Sequence, residues 1–207
     1  MSDAHAKQIQ KLTEAPGAPE IFTDGVCGFF LHNGTLRIAF EASRADHSAN
    51  PAPITRCVVA RVVLPAAGAR GLAVGLFDFL KKMGLEPGNV APSVAVQKTP
   101  AAPAAEPPPA GPGAPPKPAS GTIEAPDAHE IFADGAAGFF LHNGMLRIAF
   151  ESSRFDHSSS HAPASRILVA RVALPASSAS ALAVNLFDFL KQMGIDPASV
   201  SAVPTVQ

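Results

Sequence analysis

Residues 20–88 recur at residues 130–198, at a constant offset, without a gap and with about two positions in three identical. Shared composition cannot produce that agreement, and a repeat of this kind is a structural unit that completes its burial against a neighbour. Each unit holds roughly 70 residues, a size at which a lone core is marginal. The two copies are therefore expected to pack on each other or on a partner. Around them the chain divides into a mobile N-terminal tail (1–18), a first repeat (19–88), a Pro/Ala-rich linker (89–128), a second repeat (129–198) and a C-terminal tail (199–207). The linker contains TPAAPAAEPPPAGPGAPPKPASG. Such text buries no core, favours extended polyproline II and reads as a semi-rigid spacer.

The strongest local signal in each copy is a hairpin. GFFLHNGTLRIAFE carries Asn33-Gly34 between two alternating runs, and GFFLHNGMLRIAFE repeats the pattern at Asn143-Gly144. Asn-Gly suits a type I′ turn because both central residues need positive φ. A two-residue loop there sets Leu31 opposite Leu36, Phe29 opposite Ile38 and Cys27 opposite Phe40, all on one apolar face. Ala137, Phe139, Leu141, Leu146, Ile148 and Phe150 form the same face in the second copy. The opposite face carries Val26, Phe30, Arg37 and Glu41 with His32 beside the turn, and Phe140, Arg147, Glu151 and His142 in the second copy. A phenylalanine on a nominally solvated face predicts that this face is partly covered as well.

Residues 56–64 and 166–174 are apolar on both sides, which predicts a strand buried on both faces. Each leads directly into a proline, Pro65 or Pro175, suited to a first helical turn. Helices are predicted over 65–83 and 175–193. Their stripes are Leu72, Leu76, Phe79, Leu80 and Met83, and Leu182, Leu186, Phe189, Leu190 and Met193. Gly84 and Gly194 are natural stops. Glu20–Phe22 adds a short strand in one reading, with Asp24-Gly25 as a turn or a bulge. The predicted fold is α+β: two homologous units, each a three- or four-stranded antiparallel sheet followed by one amphipathic helix, packed as a pseudo-dimer.

EIFTDGVCGFFLHNGTLRIAFEASR, a polar gap, then VVARVVLPAAGARGLAVGLFDFLKKMG resembles a bacterial domain family of unknown function. Its members open with a short a-D-G segment before the hairpin and close with an apolar strand, a proline and an amphipathic helix. The resemblance spans both copies and implies a fold, with no activity and no functional residue carried over. A looser likeness to the sheet-plus-helix units of SecB-type export chaperones is an analogy of fold. Ala/Pro linkers between repeats are also similar to those of lipoyl-bearing acyltransferases. Those domains present Asp-Lys-Ala at the exposed turn, where this chain has His-Asn-Gly.

Net charge is −1 and only 16% of residues are charged, which argues against generic nucleic-acid binding, since that needs a surplus of Lys and Arg. With no Trp and no Tyr, base stacking would rest on Phe. Cys27 and Cys57 are replaced by Ala137 and Ile167 in the second copy, so both read as buried thiols in a reducing compartment rather than a disulfide. Residues 1–13 lack the apolar core of a secretory signal. The apolar stretches 57–80 and 167–190 are broken by Arg61, Pro65, Arg70 and Asp78, and by Arg171, Pro175 and Asp188, against a membrane span. The expected location is the cytoplasm.

Two groups of residues are candidates for function. Arg44, Asp46 and His47, with Arg154, Asp156 and His157, form polar loops after the hairpins, each followed by a serine. Adjacent Asp, His and Ser aim poorly at one another as a triad, and no Cys/His spacing suggests a metal. The ordinary reading is a local turn. Phe30, Arg37 and Arg61, with Phe140, Arg147 and Arg171, make an aromatic–arginine mix typical of interfaces. A cation–π contact of Phe30 with Arg37 and a cross-strand set of Arg37, Glu41 and Arg61 are both geometrically reasonable. No catalytic residue, metal ligand or cofactor is assigned. The expected function is a non-enzymatic interaction or assembly protein, adaptor- or chaperone-like, with a protein partner or self-association. The alternative is a small-ligand or metal-binding protein or enzyme using the Asp-His-Ser loops.

Overall fold

The computed structural model describes residues 12–87, 122–154 and 165–197. The expected tails beyond these limits, most of the expected linker, and Asp156 and His157 lie outside the described residues. Among the described residues, nine strands and two helices follow in the order β1 (Leu12–Glu14), β2 (Glu20–Phe22), β3 (Gly25–His32), β4 (Thr35–Ala45), β5 (Ile54–Pro65), α1 (Ala66–Lys82), β6 (Ile123–Phe132), β7 (Gly135–His142), β8 (Met145–Arg154), β9 (Ser165–Pro175) and α2 (Ala176–Gln192). β1 falls within the span expected as a tail, and β6 begins within the span expected as a linker.

The class is α+β, with two mixed sheets rather than the antiparallel sheets expected. One runs β3-β4-β5-β6; the other runs β7-β8-β9, with β1 and β2 both on the far edge of β9. The hairpins and their third strands are antiparallel, but β6 lies parallel to β5, and β1 and β2 lie parallel to β9. Each sheet thus takes its outer strand from the other half of the chain.

The crossing happens at one corner in each half. Thr23 N–H donates to Ala173 O at 2.8 Å, and the next amide, Asp24 N–H, donates to Glu41 O at 2.8 Å. Consecutive amides bond to different sheets, so the chain changes sheet between them. Ala133 N–H to Val63 O and Asp134 N–H to Glu151 O repeat this at 3.0 and 2.8 Å. Aspartate suits the position because its short carboxylate takes a further amide: Ser43 N–H donates to Asp24 Oδ2, and Ser153 N–H to Asp134 Oδ2, both at 2.6 Å. Asp24-Gly25 is therefore this corner, and the bulge sits later.

Asn33, Gly34, Asn143 and Gly144 all have positive φ, and His32 pairs with Thr35 across the two-residue loop as the type I′ turn requires. Leu31 faces Leu36 and Phe29 faces Ile38, as expected. A bulge between Val26 and Gly28 then sets Val26, not Cys27, opposite Phe40. Ala136, not Ala137, faces Phe150 for the same reason. One extra residue flips the alternation, so Val26 enters the core and Cys27 turns outward.

Pro65 and Pro175 cap the helices, and Ala66 N–H donates to Gly34 O at 2.9 Å, tying the helix start to the hairpin turn. Gly84 and Gly194 have φ +74 and +76 and stop the helices. Leu72, Leu76 and Leu80 are fully buried, whereas Met83 and Met193, expected on the stripe, are exposed beyond the last turn. The helices pack on each other through Phe77 and Phe187, with ring centroids 6.0 Å apart. Each also reaches the hairpin of the opposite half: Phe79 meets Phe139 at 5.6 Å and Phe189 meets Phe29 at 5.4 Å. Most of the buried apolar residues of both halves form one continuous core.

Candidate functional site

Ile21 and Ile131 are buried in the core, so strand alternation sends their neighbours to the outer sheet faces. The register then lines up one row across each sheet. Phe132, Val63, Arg37 and Phe30 are successive partners in the first, and Phe22, Ala173, Arg147 and Phe140 in the second. The aromatic ends stay open: Phe22, Phe30, Phe132 and Phe140 are 61, 57, 65 and 58% exposed. Phe30 stacks on His32 and Phe140 on His142, each at 6.0 Å between centroids. The ring partner of Phe30 is thus a histidine, although Arg37 lies directly opposite in register. The outer face of the second sheet also holds a shallow concavity of about 330 Å³, lined by Leu12, Gly138, Phe140, Arg147 and Arg171 among others.

The arginines are engaged within the chain, and their partners come from the opposite half. Arg171 donates to both oxygens of Glu14 at 2.7 and 2.9 Å, and Arg147 Nε to Glu20 Oε1 at 2.6 Å. Arg61 grips Glu124, with Nη2 to Oε2 at 2.9 Å, and Arg37 lies 4.0 Å from Glu130. Glu41 pairs instead with Arg56, and Glu151 with Arg166. The expected trio of Arg37, Glu41 and Arg61 therefore separates onto three partners. A strand register alone cannot show that a glutamate arrives from a segment 63 to 157 residues away.

Hydrogen bonds from Arg171 and Arg61, reinforced by their charge, hold the Glu14 and Glu124 carboxyls below the usual carboxylate range. A carboxyl lowered on folding contributes stability above its unfolded pKa and loses it as pH falls through the folded value. The outer strands β1 and the start of β6 are expected to loosen below about pH 4. Heteronuclear NOEs at pH 6 and pH 3 would read this as a drop confined first to residues 12–14 and 122–125. Unchanged values there, with loss of order elsewhere, would refute it.

Asp46 of the first polar loop is held locally. Ser48 N–H donates to Asp46 Oδ1 at 2.9 Å, and hydrogen bonds from Ser48 lower the Asp46 carboxyl. Arg44 lies 3.4 Å from Asp127, again from the other half. His47 is exposed, Arg154 ends β8, and no three His, Cys, Asp or Glu side chains gather among the described residues. Both thiols are free; Cys57 is buried, whereas Cys27 is half-buried, with burial pushing its thiol up and Sγ 3.5 Å from Ala39 O. A cleft of about 240 Å³, of mixed polar and apolar lining, opens between Asp24, Val26, Glu41, Arg56, Ser178 and Leu182, where α2 passes the first sheet.

Sequence reading missed Phe22 and Phe132 and the glutamates that bind the arginines. The signal was present: Glu14-Ala15-Pro16 recurs as Glu124-Ala125-Pro126 at the same offset as the repeat. Among the described residues no helix is long and apolar enough to cross a membrane. Compared with family models, with curated proteins and with solved structures, the chain matches none.

Proposed function

We propose that this chain is a covalent pseudo-dimer of two related units joined by reciprocal strand exchange, acting as a non-enzymatic protein-interaction or assembly module. The observation that carries the proposal is the pair of outer rows in which exposed phenylalanines flank an arginine that lies beside a glutamate of the same chain. An exposed aromatic cluster beside a charge-balanced centre favours burial against a polypeptide rather than attraction to a polyanion. Phosphate binding would need arginines with spare charge, and Arg37, Arg61, Arg147 and Arg171 each lie beside a glutamate. The duplication places two such rows on one molecule, which suits an adaptor engaging two segments of a partner with added avidity. The resemblance to a bacterial domain family of unknown function and the looser SecB-type likeness belong to the same reading, as does a cytoplasmic setting for two free thiols.

Phe30→Asp with Phe140→Asp is expected to abolish partner binding while shifting Tm by no more than a few degrees, because both rings are more than half exposed. Isothermal titration of wild-type and double-variant protein with the partner polypeptide measures this. Equal affinity for both proteins would sink the proposal.

A further inference from the structure

The two exchanged segments dock on tracks of equivalent register. Residues 12–22 and 122–132 agree at 7 of 11 positions, sharing Glu-Ala-Pro and Glu-Ile-Phe at the same spacing. Their registers are equivalent: Glu20, Ile21 and Phe22 pair with Arg171, Val172 and Ala173, while Glu130, Ile131 and Phe132 pair with Arg61, Val62 and Val63. Each track reads its arm by the same chemistry, namely two arginines for two spaced glutamates and one apolar slot for the isoleucine.

We infer that these tracks also take the arm of a second copy of this chain, so that molecules associate by exchanging arms. An arm arriving from another molecule makes the same ion pairs and buries the same isoleucine, so cis and trans docking differ mainly in chain connection. The first arm is the one suited to exchange. Ile21 is its only buried residue, all three residues of β1 are exposed, and the arm breaks between β1 and β2, where Gly17 has φ +74. Thirty-four residues separate Pro87 from Thr122, a contour of at most about 120 Å, so the second arm is not confined to its own molecule either.

A fluorescent peptide spanning residues 12–22 tests the track directly on the full chain. It should bind saturably, and binding should fall at least tenfold on the Arg147→Glu, Arg171→Glu chain. A peptide with Glu14→Arg and Glu20→Arg should bind wild type at least tenfold more weakly and recover on that variant. If the variant does not fold, the loss with the reversed peptide on wild type still decides. No saturable binding to wild type or to an Ile21→Asp chain shown to be folded by its melt would overturn the inference. The occupant is tested by mixing light and ¹⁵N-labelled full-length protein and recording native mass spectra. Mixed-mass dimers that disappear in the charge-reversed variant are expected; wild-type monomers alone, even with the peptide bound, would exclude the second copy. The two readings are separated with a Phe30→Ala, Phe140→Ala chain, which adds no charge opposite Arg37 or Arg147: loss of the partner with the peptide and the mixed-mass dimers retained is expected.

Discussion

Phe150→Ala is expected to lower the free energy of unfolding by about 3–5 kcal/mol, the range for truncating a fully buried phenylalanine. Phe150 is completely inaccessible, in a row with Ala136 and Ala170 on the core face of its sheet. Ala136 is small where the first half has Val26, so the vacated volume has little beside it to relax inward. The core is continuous across both halves, so the loss should appear as one transition at lower temperature. Two separated transitions in calorimetry, one unmoved, would mean that the halves fold independently and that strand exchange does not couple them. Phe40→Ala at the corresponding position should behave in the same way, since Phe40 is equally buried.

Two glycines of one helix should respond to alanine with opposite signs. A Cβ on Gly68 would stand 2.0 Å from the carbonyl oxygen of Asp134, a backbone atom at the sheet-switching corner. Neither helix nor corner can yield without disturbing the other, so Gly68→Ala should cost about 1–3 kcal/mol, as overpacking does. A Cβ on Gly71 meets nothing within 4 Å. There the change removes only the entropic penalty of a helical glycine and should add about 0.5–1 kcal/mol. The second half carries Ala181 at the position of Gly71, in keeping with the expected gain, whereas Ser178 stands at that of Gly68. Ser178 meets the Asp24 carbonyl through its hydroxyl, so α2 and α1 reach equivalent corners by different contacts. Urea denaturation of both variants checks the pair; equal and small shifts would mean that α1 does not press on the Asp134 corner.

The hairpins, third strands and helices were legible because each rests on local chemistry: Asn-Gly at the turn, alternation along the strands, proline and glycine at the helix ends. The bulge at Cys27 was not, because a one-residue insertion leaves no mark in an already apolar run. The parallel pairing of the outer strands was missed for a different reason. Their pairing joins segments far apart in the chain, and three residues such as Glu20–Phe22 carry too little pattern to reveal a partner. The arginines were found as outward-facing residues, but their glutamate partners needed the third dimension. Phe30 and Phe140 stood out by breaking the alternation, whereas Phe22 and Phe132, the last residues of β2 and β6, broke no pattern.

The measurement that bears most directly on the account is native mass spectrometry of the protein gently purified from its own host, run beside the Phe30→Asp, Phe140→Asp variant. The account predicts a discrete polypeptide at constant stoichiometry with the wild type, absent from a variant of similar Tm. The same polypeptide on both proteins, or a small added mass in its place, would contradict it.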